Sequence, residues 1–150
     1  DEMGDGVFQL WKFVSHVRRG LVGGVVLDPQ SVLVLLTLDN WMTMSSAFQK
    51  AALAKAHALA NAKDPLIADD DRRTVVFASI EDVELTLLQA DEALFVKNLL
   101  TATEERFLGW TLPYIHKDVD TGVGNPSPLA GRLGEVLPWA DTYRQRARLM

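Results

Sequence analysis

Apolar positions recur along this chain with two different spacings, and the change from one to the other divides it into elements. Val7, Phe8, Trp11, Val14 and Val17 follow the helical repeat, with Arg18 and Arg19 as a basic last turn and Gly20 as a stop. That pattern predicts a helix over about 7–19. Leu21 to Leu27, rich in valine and glycine, reads as a strand. The run VVLDPQSVLVLLTLDNW, Val25 to Trp41, carries no charge between Asp28 and Asp39. Here two readings stay open. Asp28-Pro29 caps a short helix with proline at its first position, or Asp28-Pro29-Gln30-Ser31 turns the chain into a strand over Val32 to Leu38. Such a strand shows no polar alternation, so both its faces would be buried.

From Met42 to Lys63 helix propensity is the highest in the chain, with Phe48, Ala52, Ala56, Leu59 and Lys63 approximating one face. Asp64-Pro65 ends that helix, because the residue before proline is pushed out of the α region. Asp69-Asp70-Asp71-Arg72-Arg73 reads as a solvated turn before a strand at 74–78. Ser79-Ile80-Glu81-Asp82 is a capping box with aspartate in the usual place of glutamate. Ile80, Val83, Leu87, Ala90 and Leu94 make an apolar stripe, and helical pattern continues, broken near Asp91, to about Leu108 and a stop at Gly109. Tyr114 to Pro128 reads as loop. A last amphipathic helix is expected at about 135–148, with Val136, Trp139, Ala140 and Tyr143 on one face. The order helix, strand, helix, strand, helices predicts an α/β fold, a small buried sheet of few strands packed by several amphipathic helices.

With 150 residues, 48% of them apolar and 23% charged, the chain reads as one globular domain rather than a disordered one. Its start at Asp1 suggests a fragment or terminal module of a larger chain. The absence of cysteine removes disulfides, thiolate ligands and a cysteine nucleophile, and suits a cytoplasmic location. No apolar run approaches the ~20 residues that span a bilayer, so no membrane association is expected. A net charge of −5 argues against general nucleic-acid binding. The exception is the arginine-bearing tail, where Arg132, Arg144, Arg146 and Arg148 outnumber Glu135 and Asp141; any polyanion contact belongs there.

Paired carboxylates are the first chemistry to weigh, since acids a few ångströms apart bind magnesium or manganese and activate water. Asp28, Glu81 and Glu84 all lie next to predicted strands and would form such a site if the strands were neighbours. Two of them also have plain structural roles: Asp28 as a turn or cap residue, and Glu81, like Asp82, in the first turn of a helix where the dipole favours acids. His16, His57 and His116 fit no zinc spacing. His116, beside Lys117 and Asp118, is the one histidine in predicted loop and a candidate for proton transfer. No serine lies in a nucleophile elbow, and neither glycine cluster opens a helix as a phosphate loop would. Tryptophans 11, 41, 110 and 139 either pack in the core or, where exposed, mark a protein contact.

At TLDNW (Thr37 to Trp41) and RRTVVFASIEDVELTL the chain resembles the closing half of bacterial restriction-endonuclease-like proteins, over about residues 21–95. There a strand ending in an acid and a tryptophan precedes a long helix, and a further strand leads into a helix opening with Ser-Ile-Glu-Asp-type residues. That family's catalytic signature, an acid followed by an acid-x-lysine pair at a strand end, is missing. Glu84-Leu85-Thr86 is nearest and lacks the lysine, so the resemblance carries over no catalytic residue. The leading expectation is therefore a non-catalytic accessory module of a larger bacterial assembly, binding a protein partner or a second copy. Trp41, Trp110, Trp139, Arg144 and Arg148 are its candidate contact residues, and no cofactor is expected. The alternative is a metal-dependent nuclease or phosphodiesterase holding magnesium or manganese on Asp28, Glu81 and Glu84. A small ligand near Trp110 to His116 is a third possibility.

Overall fold

A computed structural model describes residues 2–38 and 45–119. Helix α1, Glu2–Arg18, is followed by strand β1, Leu33–Thr37, and helix α2, Ser46–Lys63. Strand β2, Val75–Ser79, leads directly into α3, Ile80–Leu87, then α4, Glu92–Ala102, and α5, Leu112–Val119. β1 and β2 pair in parallel, Leu33 beside Val75 through to Thr37 beside Ser79, with α2 as the crossover between them. The α/β class expected from the order of elements is the class observed.

Period-two alternation along both strands distributes their side chains to two cores. Leu33, Leu35, Val75 and Phe77 pack with Val7, Trp11 and Val14 of α1 and Ala52, Ala56 and Ala60 of α2. Val34, Val76 and Ala78 face the other way, onto Val83 of α3, Leu99 and Ala102 of α4 and Leu112 of α5. The molecule is thus a thin sheet between two helical layers. β2 is buried along its whole length, as expected for a strand covered on both faces. β1 is not, and Leu36 stands 55% exposed.

Several expectations need correcting. α1 begins at Glu2 rather than near Val7, with Glu2 and Asp5 placed where the dipole favours acids. Its end is as foreseen: Gly20 adopts φ +70°, Gly20 N–H donates to the Val17 carbonyl and Leu21 N–H to that of His16, the paired bonds of a glycine-terminated helix. Residues 21–27 form no strand. Gly24 turns at φ +74°, Leu21 and Val26 stand in water, and valines without a neighbouring ladder gain nothing from extension. Of the two readings after Asp28, the turn is the one realised: Asp28 Oδ1 accepts from Gln30 N–H and the Asp28 carbonyl from Ser31 N–H.

The inward face of α2 is Gln49, Ala52, Ala56 and Ala60: Ala52 and Ala56 are as expected, while Gln49 replaces Phe48, which points outward, and Ala60 is buried where Leu59 is only partly so. Small residues win because α1 lies close: a Cβ on Gly4 would come within 2.8 Å of Lys55 Cβ. Ser45 caps α2 by accepting from Phe48 N–H; Met42 to Met44 lie outside the described residues. The helical run after Asp91 stops at Ala102, short of Leu108, and a single tight turn at Glu105–Phe107 follows. Tyr114 to Val119, expected as loop, belongs to α5, whose Leu112, Ile115 and His116 are buried; Pro113 is tolerated because first-turn N–H groups have no helical acceptor. The rest of that loop and the helix at 135–148 lie outside the described residues.

Candidate interaction surface

The connection between α4 and α5, two helices on the same face of the sheet, passes beside β2 and reaches α2 of the other layer before returning. Gly109 makes the crossing possible. It sits at φ +87° with the position of a Cβ only 2.9 Å from the Ser46 backbone nitrogen, and its N–H donates to Gln49 Oε1 of α2 at 3.1 Å. Phe107, just before it, is buried, and Trp110, just after it, is 48% exposed. The two rings meet edge to face, centroids 5.4 Å apart, so the indole is held while its outer face stays in water.

Two hollows flank Trp110. One, about 290 Å³, runs along Thr74 and the following Val75 to Phe77 of β2 under the crossing segment, with Leu53, Leu108 and Ile115 among its walls. The other, about 270 Å³, lies between Gly109, Trp110, Thr111 and Tyr114. Tyr114 is 57% exposed, and the Lys117 ammonium stands 5.0 Å from the centre of its ring. Glu104 pairs with Arg106 at 2.8 Å, and that guanidinium covers Phe107 at 4.4 Å. The result is a supported aromatic platform, Trp110 and Tyr114, with a charged border.

The carboxylates considered for a metal are not brought together. The Asp28 carbonyl accepts from Arg73 at 2.8 Å, which places this turn at the start of the sheet. Glu81 and Glu84 follow the end of β2, exposed on α3. In between lies the five-residue length of β2, roughly 16 Å at ~3.3 Å per residue. Among the described residues no three His, Cys, Asp or Glu side chains gather as a metal-holding group. Ser79 and Asp82 instead complete the capping box, Asp82 N–H donating to Ser79 Oγ at 3.0 Å and Ser79 N–H to Asp82 Oδ2 at 3.4 Å. His116 is buried in α5 rather than displayed on a loop, its Nδ1 3.0 Å from the Asn98 amide nitrogen of α4. Trp11 belongs to the core and donates from its indole to the Arg73 carbonyl at 2.9 Å. Trp41, Trp139, Arg144 and Arg148 lie outside the described residues.

One charged cluster was invisible as such in the sequence. Asp71, taken for a solvated turn acid, is 1% exposed and accepts from Arg18 through both oxygens, at 2.7 and 2.8 Å. It also accepts from Ala68 N–H at 2.8 Å. The Arg18 hydrogen bonds outweigh burial and hold its carboxyl below the ordinary value. Ser15 and Arg18 both donate to the Leu66 carbonyl, so the network binds the end of α1 to the segment before β2. Nothing in a run of three aspartates marks which one turns inward. The only sequence signal was the helical placement of Ser15 and Arg18 one turn apart.

Among the described residues no helix is long and apolar enough to cross a membrane. No family model, curated protein or solved structure matches the chain.

Proposed function

We propose that this chain works by protein contact, as a non-catalytic accessory module of a larger bacterial assembly, with Trp110 at the centre of the contact. The half-exposed Trp110 ring, clamped by Phe107 and continued by Tyr114, is the observation that carries this reading. A tryptophan already fixed in one orientation loses little freedom on binding, and aromatic anchors of this kind dominate interface energies. Covering the exposed half, roughly 100 Å², is worth about 2.5 kcal/mol at ~25 cal/mol per Å². The likeness to restriction-endonuclease-like proteins without their acid-x-lysine fits a module whose partner performs any chemistry.

A photo-crosslinking amino acid at Tyr114, introduced in the protein's own host, tests the reading. The expected result is one discrete adduct that Trp110→Ala removes while leaving the melting temperature of the isolated chain within a few degrees. No adduct, or one indifferent to Trp110→Ala, would count against it.

A further inference from the structure

The end of α1, the acidic turn before β2 and the segment 25–27 line a hollow of about 340 Å³, which shares no lining residue with the hollows beside Trp110. Its walls are of two kinds. Val14, Val17 and Leu27 form a branched aliphatic side, continued by Val25 and Val26. These last two stand 38% and 93% exposed on a segment that is neither strand nor helix, and adjacent apolar side chains in water around a hollow are what a ligand groove presents. The other side is charged. Arg18 is fixed through Nε and Nη2 by Asp71 and the Leu66 carbonyl, and among the described residues its Nη1 is unengaged. Arg73 is fixed by one bond, from Nη1 to the Asp28 carbonyl at 2.8 Å, which leaves its Nε and Nη2. Asp71 neutralises Arg18, so Arg73 is the cation left over. Asp70 is the anion left over: exposed, with no hydrogen bond or ion pair among the described residues, it acts on Arg18 only through space.

We propose that this hollow binds a free α-amino acid with a branched aliphatic side chain. The ligand carboxylate accepts from the spare N–H groups of Arg73 and Arg18, charge-assisted bonds from guanidinium groups that the fold already holds in place. Its ammonium group faces Asp70, and its side chain lies against Val14, Val17 and Leu27 while covering Val25. The two leftover charges select this class of ligand. A simple aliphatic acid leaves Asp70 unmatched, and a simple amine leaves Arg73 unmatched. A peptide end brings only one of the two charges. An acidic or basic side chain would set a charge against the valines.

Heteronuclear NMR of the full chain titrated with L-leucine to about 10 mM tests this. The expected result is saturable shifts of the Val17, Val25, Val26, Leu27 and Arg73 amides, with a dissociation constant below about 1 mM. Isocaproate and isoamylamine, which each lack one of the two charges, should bind at least about tenfold more weakly. Arg73→Met keeps the backbone carbonyl that accepts from the Trp11 indole and should abolish leucine binding. Asp70→Asn, on an exposed side chain, should bring leucine down to the affinity of isocaproate, and gives a reading of its own should Arg73→Met melt early. No saturable shift with leucine, isocaproate bound as tightly as leucine by the wild type, or leucine binding indifferent to both substitutions would each overturn the proposal. The Trp110 contact involves none of these residues and is read separately by cross-linking.

Discussion

Asp71 shows how far a single side chain can depart from what its neighbours in sequence suggest. Three consecutive aspartates look alike on paper, yet only Asp71 is turned inward, where Arg18 meets it with two hydrogen bonds. Removing the carboxylate in Asp71→Ala strands Ala68 N–H and the Arg18 guanidinium, at a cost of about 2–3 kcal/mol measured by urea unfolding. The pH dependence has a definite sign. The folded carboxyl titrates below its ordinary value, so the ionised form contributes fully above pH ~4 and its contribution is lost as pH falls from there through the lower folded value. Asp71→Asn should flatten that acid limb relative to the wild type; an unchanged limb would show that other carboxylates dominate it. Trp110 drew attention in the sequence as a tryptophan that either packs in the core or marks a contact; its half-exposure comes from the Gly109 crossing, which the sequence does not show. His116 was misplaced because Leu112-Pro113 masked the helix that buries it.

At the scale of elements, most of the fold was readable wherever local chemistry and tertiary packing agree. The capping box at Ser79, the break at Asp91 and the glycine stop at Gly20 are decided within a few residues, and the structure holds all three. The strand expected at 21–27 failed because strands are stabilised by neighbours, which valine content does not reveal. The ends of the inward face of α2 differed for a similar reason: which residues turn in is set by the close approach of α1, where Gly4 lies against Lys55. Gly4→Leu should therefore push the helices apart and destabilise the fold by about 2 kcal/mol, read as a fall in denaturation midpoint. An unchanged midpoint would mean that the close approach of α1 and α2 is dispensable. The distance between the Asp28 turn and Glu81 is also an element-scale fact, set by the length of β2. Millimolar manganese should leave the melting temperature the same in wild type and in Asp28→Ala. A stabilisation that disappears in the variant would point to a metal bound at Asp28.

For the molecule as a whole, the surface beside β2 offers an aromatic platform of Trp110 and Tyr114. The platform carries the proposed function, and its energetic weight can be stated in advance. Covering the exposed part of Trp110 is worth about 2.5 kcal/mol, which is on the order of a sixtyfold change in affinity at 1.4 kcal/mol per tenfold. The most direct test is calorimetric titration of the partner captured through Tyr114, once purified, into the wild type and into Trp110→Ala. Binding weakened by at least thirtyfold, with the fold intact by circular dichroism, is the predicted result. Equal affinity for the two proteins would contradict the assignment of Trp110 as the centre of the contact.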